Sequence, residues 1–167
     1  MKAGIAGGAA ALVLARIRRA KDYDPEAFGF VRPSARPSIG FFAAYMFWML
    51  ASDALVGWRG PWDFEPWRQA PYAASALRLI AVCMLGPMAE ELLFRGLLFR
   101  WLSQRMSTPL VIAVTAISWA MLHYTYSWTV IAIIVVDGVL LGLVRWKSGS
   151  ILPPILLHAV YNLYAIW

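Results

Sequence analysis

With 167 residues, 61% hydrophobic and 14% charged, and a mean hydropathy of +0.63, the chain is too apolar for an ordinary soluble domain and suits one membrane-embedded domain. Its net charge of +6 does not point to nucleic acid, because the basic residues fall at the ends of apolar runs and not on a soluble module. The single cysteine, Cys83, excludes an intrachain disulfide and a cysteine-based zinc cluster, and its apolar neighbours mark it as a small core residue.

Residues 1–19 hold a short Ala/Gly-rich apolar stretch followed by Arg16, Arg18 and Arg19. A secretory signal would carry its charge ahead of the apolar core, so residues 4–15 read as an interfacial helix, with a tilted partial span as the alternative. Residues 20–37, with Pro33 and Pro37 among charged side chains, read as a polar linker that completes a cytoplasmic or interfacial segment over 1–37. The remainder, 38–167, reads as one transmembrane domain. Its first span is expected at about 38–58, followed by a polar loop over 59–72 in which Trp62, Trp67 and Tyr72 form an interfacial belt. A second helix starts near Ala73, is expected to kink or break at Gly86-Pro87, and resumes to about Leu102. Further spans are expected at 108–123, 128–145 and 150–167. The predicted fold is an all-α polytopic transmembrane bundle of about five spans. Basic and non-basic connections alternate, with Arg145 and Lys147 in the last, which places the N-terminus in the cytoplasm and the C-terminus outside.

Within this apolar chain the adjacent pair Glu90-Glu91 stands out, because ionisable residues inside spans are expensive and mark function. Neighbouring helical side chains diverge by about 100°, so only one of the two carboxylates points straight into a given cavity. Arg95 lies four residues after Glu91, the spacing of a same-face ion pair. Glu91 is therefore expected to be anchored and Glu90 to be left free for chemistry. The two histidines lie on other spans: His123 four residues after Trp119, and His158 four residues before Asn162, so that each pair shares a helix face. A carboxylate with an imidazole can activate water, and an imidazole with a carboxamide can donate to an oxyanion. The bland alternative is a buried structural triad with histidines that only pack. Asp137, mid-span, needs a partner and is assigned a packing role with Arg78. Gly138 and Gly142 form a small-xxx-small face for packing inside the bundle.

The series Glu90-Glu91-x-x-x-Arg95, Trp119-x-x-x-His123 and His158-x-x-x-Asn162 resembles the CAAX-protease and bacteriocin-processing family of intramembrane glutamate proteases, over about residues 72–167. The resemblance implies that Glu90 and His123 activate the attacking water. It further implies that His158 and Asn162 form the oxyanion hole, and that Glu91 and Arg95 hold the site together, with no cofactor. Trp119 stands where the family usually has Phe. Relative to larger members, few spans precede the Glu pair and five residues follow Asn162, so substrate access and stability are expected to involve a homo- or hetero-oligomeric partner. The substrate implied is a membrane-associated protein or peptide cut at a C-terminal tail or leader. A small bacterial sorting-tail (myxosortase-like) protease of the inner membrane is the member type that the size suggests. Two rivals remain: a zinc-dependent variant, although no HExxH occurs, and a non-proteolytic immunity or scaffold protein of the same fold.

Overall fold

The computed structural model describes residues 8, 11–16, 18–19, 24–57 and 71–166, and all regular elements among them are helical. Trp62 and Trp67 of the expected aromatic belt lie outside the described residues. The expected linker contains a short helix, α1 (Pro25–Phe28), started by Asp24, whose side chain accepts from the Glu26 N–H at 3.0 Å. It ends at Gly29, where φ is +85° and a Cβ would lie 2.7 Å from the Arg145 guanidinium carbon. This segment is docked, not a free tether. Phe28 is buried against Leu92 and Ile151, the Ile151 N–H donates to the Gly29 carbonyl at 2.9 Å, and the Ser34 N–H donates to the Ser148 carbonyl at 3.0 Å.

Four further rods and one composite helix follow the expected spans. Helix α2 (Ala35–Val56) ends at Gly57 in the left-handed region. Helix α3 runs over 72–103 without a break, in five consecutive segments: Tyr72–Ile80, a π turn at Ala81–Leu85, Gly86–Glu91, a second π turn at Leu92–Leu98, and Phe99–Ser103. At Gly86-Pro87, where a kink or break is expected, the helix does not break: the turn before the proline is widened, which relieves the clash a proline makes with the preceding turn. Helix α4 (Thr108–Ala120) closes with a tighter 3-10 turn at Met121–His123. Helix α5 (Trp128–Ser148) is capped by Ser127, and α6 (Leu152–Ile166) follows a turn at Gly149.

Helix α5 is the central rod, packed against α2, α4 and α6, while α3 lies against α4 and α6. Tyr45, Phe94, Trp119, Ile131, Leu141 and Leu157 meet in the main core, so that every rod contributes to it. The α4–α5 crossing is the closest, because Gly138 and Gly142 face α4: a Cβ on Gly138 would lie 2.9 Å from the Ala116 Cα, and one on Gly142 would lie 2.9 Å from Ile112 Cγ2. The outside of the bundle is apolar, with Phe47 at 74% and Leu55 at 79% exposure. Two stretches, Ile39–Val56 and Trp128–Ser148, are long and apolar enough to cross a bilayer, and Thr108–His123 and Leu152–Ile166 are apolar but shorter.

Gly138→Ala is expected to destabilise the protein by about 1–3 kcal/mol through overpacking against the α4 backbone. Gly40→Ala, which meets nothing within 4 Å, should not. Thermal unfolding of the two variants in the same detergent compares them.

Candidate active site

Glu91 and Arg95 have no exposed side-chain surface, and Arg95 Nη1 donates to Glu91 Oε1 at 2.9 Å, the i, i+4 pair expected from the spacing. From that pair the site extends to two other helices. Arg95 Nη2 donates to the Gly138 carbonyl of α5 at 3.0 Å, and His158 Nδ1 of α6 lies 3.0 Å from the same Glu91 Oε1. A carboxylate paired with arginine accepts, so the imidazole carries its proton on Nδ1 and turns Nε2 the other way. That nitrogen faces Glu90 Oε2 at 3.8 Å.

The two carboxylates thus divide as the helical geometry requires, Glu91 sealed in and Glu90 partly open, with 32% of its side chain exposed. Glu90 is nevertheless not free. The Trp119 indole N–H donates to Glu90 Oε2 at 2.6 Å. The Trp119 ring also meets His158 edge-on at 5.0 Å between centroids, His123 at 5.7 Å, and the Arg95 guanidinium at 4.7 Å. His123 is brought to the site through these ring contacts, with the Tyr126 ring 5.5 Å from its own. It makes no hydrogen bond to Glu90 among the described residues.

Asn162 lies one turn beyond His158 on α6, but its amide Nδ2 donates to the Val82 carbonyl at 2.8 Å. The reason lies in α3. In the π turn the Gly86 N–H reaches back five residues to the Ala81 carbonyl. The next bond of that register would come from residue 87, and Pro87 has no N–H to give. Asn162 supplies the missing donor to the carbonyl that Pro87 orphans. The second π turn has a counterpart, as Arg145 Nε donates to the Arg95 carbonyl at 3.1 Å. Two widened turns therefore bracket the Glu pair, and each is tied by a side chain from another helix.

Several of these partners are not legible in the sequence. Asp137 accepts from the Trp48 indole of α2 at 3.0 Å, not from Arg78, which is exposed while Asp137 is buried. Arg145, read as a connection charge, is buried over the Phe99 ring. Trp119, noted in the sequence only for sharing a face with His123 and for replacing the family's usual Phe, is a hydrogen-bond donor; the available signal was that a buried indole N–H must find an acceptor. Among the described residues, no three His, Cys, Asp or Glu side chains come together as ligands for a metal ion.

A family model for type II CAAX prenyl endopeptidases, Rce1-like, matches residues 72–164, more than half of the chain. The chain belongs to this family. It is accordingly an integral membrane protein of an endopeptidase family, in agreement with the resemblance carried by the three motifs. The match takes in α3, Trp119, His123, His158 and Asn162. No curated protein and no solved structure shows a significant match to the chain.

Asn162→Ala should lower unfolding stability by about 1–2 kcal/mol by leaving the Val82 carbonyl unsatisfied. In a Pro87→Ala background, where a backbone N–H returns at position 87, the same change should cost measurably less. A double-mutant cycle of thermal unfolding reads the difference.

Proposed function

We propose that the chain is a multi-pass, glutamic-type intramembrane endopeptidase that hydrolyses a peptide bond of a membrane-associated protein or peptide. The observation that carries this reading is the division of labour in the Glu pair: a sealed carboxylate, Glu91, orients His158, and its neighbour Glu90 stays partly exposed beside the same imidazole.

The chemistry follows from the positions. A water held between Glu90 and His123 gives a proton to the Glu90 carboxylate as its oxygen bonds to the substrate carbonyl carbon, placing the electron pair on the carbonyl oxygen. His158 acts here as the imidazolium, with Nδ1–H held by Glu91 and Nε2–H donating to that oxyanion, and the Asn162 N–H not committed to Val82 is the second donor. Collapse of the tetrahedral intermediate breaks the C–N bond, and the proton on Glu90 passes to the departing amine. Glu91 and Arg95 take no proton; they fix the imidazole and the α3–α5 spacing.

The same reading makes the substrate a C-terminal sorting tail or a leader in a bacterial inner membrane, with the N-terminus cytoplasmic. The alternation of basic connections and the apolar exterior of the bundle support that setting.

Membrane-anchored peptide substrates incubated with the purified protein should be cleaved, and Glu90→Ala and His123→Ala should each lower the rate by about 100-fold or more while remaining folded. Cleavage should persist after treatment with a zinc chelator; loss that added zinc restores would replace the glutamic mechanism by a metal-dependent one. Full biological function with both variants at normal protein level would favour a peptide-binding scaffold.

A further inference from the structure

Resting on the reading of Glu90 as the proton acceptor, we infer that Trp119 is a positioning residue, whose indole N–H holds Oε2 of Glu90 and leaves Oε1 as the oxygen that meets water. A glutamate with a third of its side chain exposed has several rotamers open to it, and one that must accept a proton in a fixed direction needs a restraint. Its neighbour's partners supply no hydrogen bond: Arg95 is committed to Glu91 and to the Gly138 carbonyl, and His158 Nε2 faces the same Oε2 from 3.8 Å, beyond hydrogen-bond distance. The 2.6 Å bond from Trp119 is the one hydrogen bond to the Glu90 side chain among the described residues, and its acceptor is charged when Glu90 is ionised, which makes it the stronger kind.

The indole is itself held by three side chains. The Arg95 guanidinium lies 4.7 Å from its ring centroid, His158 lies 5.0 Å and His123 5.7 Å away. Gly138 admits it by lacking a Cβ, since one there would come within 3.2 Å of Trp119 Cε3. The residue is 4% exposed, so the donor cannot swing to another acceptor without repacking the α4–α5 crossing. One ring thus registers Glu90 on α3 against His158 on α6 and His123 at the end of α4. A phenylalanine in its place would fill the wall and leave the carboxylate loose.

Trp119→Phe tests this by removing the N–H and keeping the aromatic ring. Peptide cleavage by the purified protein should show kcat lowered by about tenfold, the size of one charge-assisted hydrogen bond, with KM changed by no more than about twofold. Thermal unfolding of Trp119→Phe, Glu90→Ala and the double variant supplies a second readout. The substitution at Trp119 should raise the unfolding equilibrium constant about tenfold in the wild-type background and by much less when Glu90 is already alanine. An equal loss in both backgrounds means that the indole only packs, and overturns the inference. So does cleavage with an unchanged kcat, which leaves the protease reading intact. If the wild type cuts no peptide yet the coupling is present, the protease reading falls and the hold of Trp119 on Glu90 stands.

Discussion

A carboxylate and a guanidinium with no exposed surface, Glu91 and Arg95, lie where three helices meet, and the rest of the site is arranged around them. Such a pair is costly to bury, and removing one member alone typically costs about 3–5 kcal/mol because the other charge is stranded. Two of its atoms, Glu91 Oε2 and Arg95 Nε, have no hydrogen-bond partner among the described residues, so the pair is not there for stability alone. An apolar pair of similar volume would hold the helices at least as well. What an apolar pair could not do is fix the imidazole of His158 from one end and the Gly138 carbonyl from the other.

That constraint explains the shape of α3. A helix that crosses the bundle would ordinarily be regular, yet α3 widens twice, immediately before and immediately after the segment Gly86–Glu91. Widened turns release backbone carbonyls, and released carbonyls inside an apolar bundle must be satisfied. Asn162 takes one and Arg145 the other, so that α6 and α5 are each locked to α3 by a polar side chain acting on backbone. The irregularity of α3 is thereby converted into interhelical registration. The Glu pair sits on the short regular turn between the two fastened points, where its direction is well determined. Asn162 has two amide hydrogens, so its tie to Val82 commits one and leaves the other.

The close crossing of α4 and α5 completes the arrangement. Gly138 serves three purposes at one position: its carbonyl receives Arg95, its missing Cβ admits the α4 backbone, and the same space seats the Trp119 ring. Its neighbour Asp137 is held by the Trp48 indole, which ties α2 to the same rod. The docked segment around Phe28 and Gly29 closes the other end, against Leu92 in the second widened turn and the guanidinium of Arg145.

The sequence by itself determined the all-helical membrane fold, the places of the long helices, and the separation of Glu91 from Glu90, because these follow from hydropathy, helical period and the i, i+4 reach of an arginine. It also carried the family, since three motifs on separate spans are local patterns that survive without any knowledge of packing. Tertiary structure alone decided which groups meet across helices. Nothing in the order of residues says that Asp137 takes Trp48 and not Arg78, that Asn162 reaches a carbonyl orphaned by Pro87, or that Trp119 gives its N–H to Glu90. Helical periodicity gives the face on which a side chain lies, but the partner on the neighbouring helix depends on crossing angle, rotation and depth. Those were set here by two glycines, two widened turns and one buried ion pair.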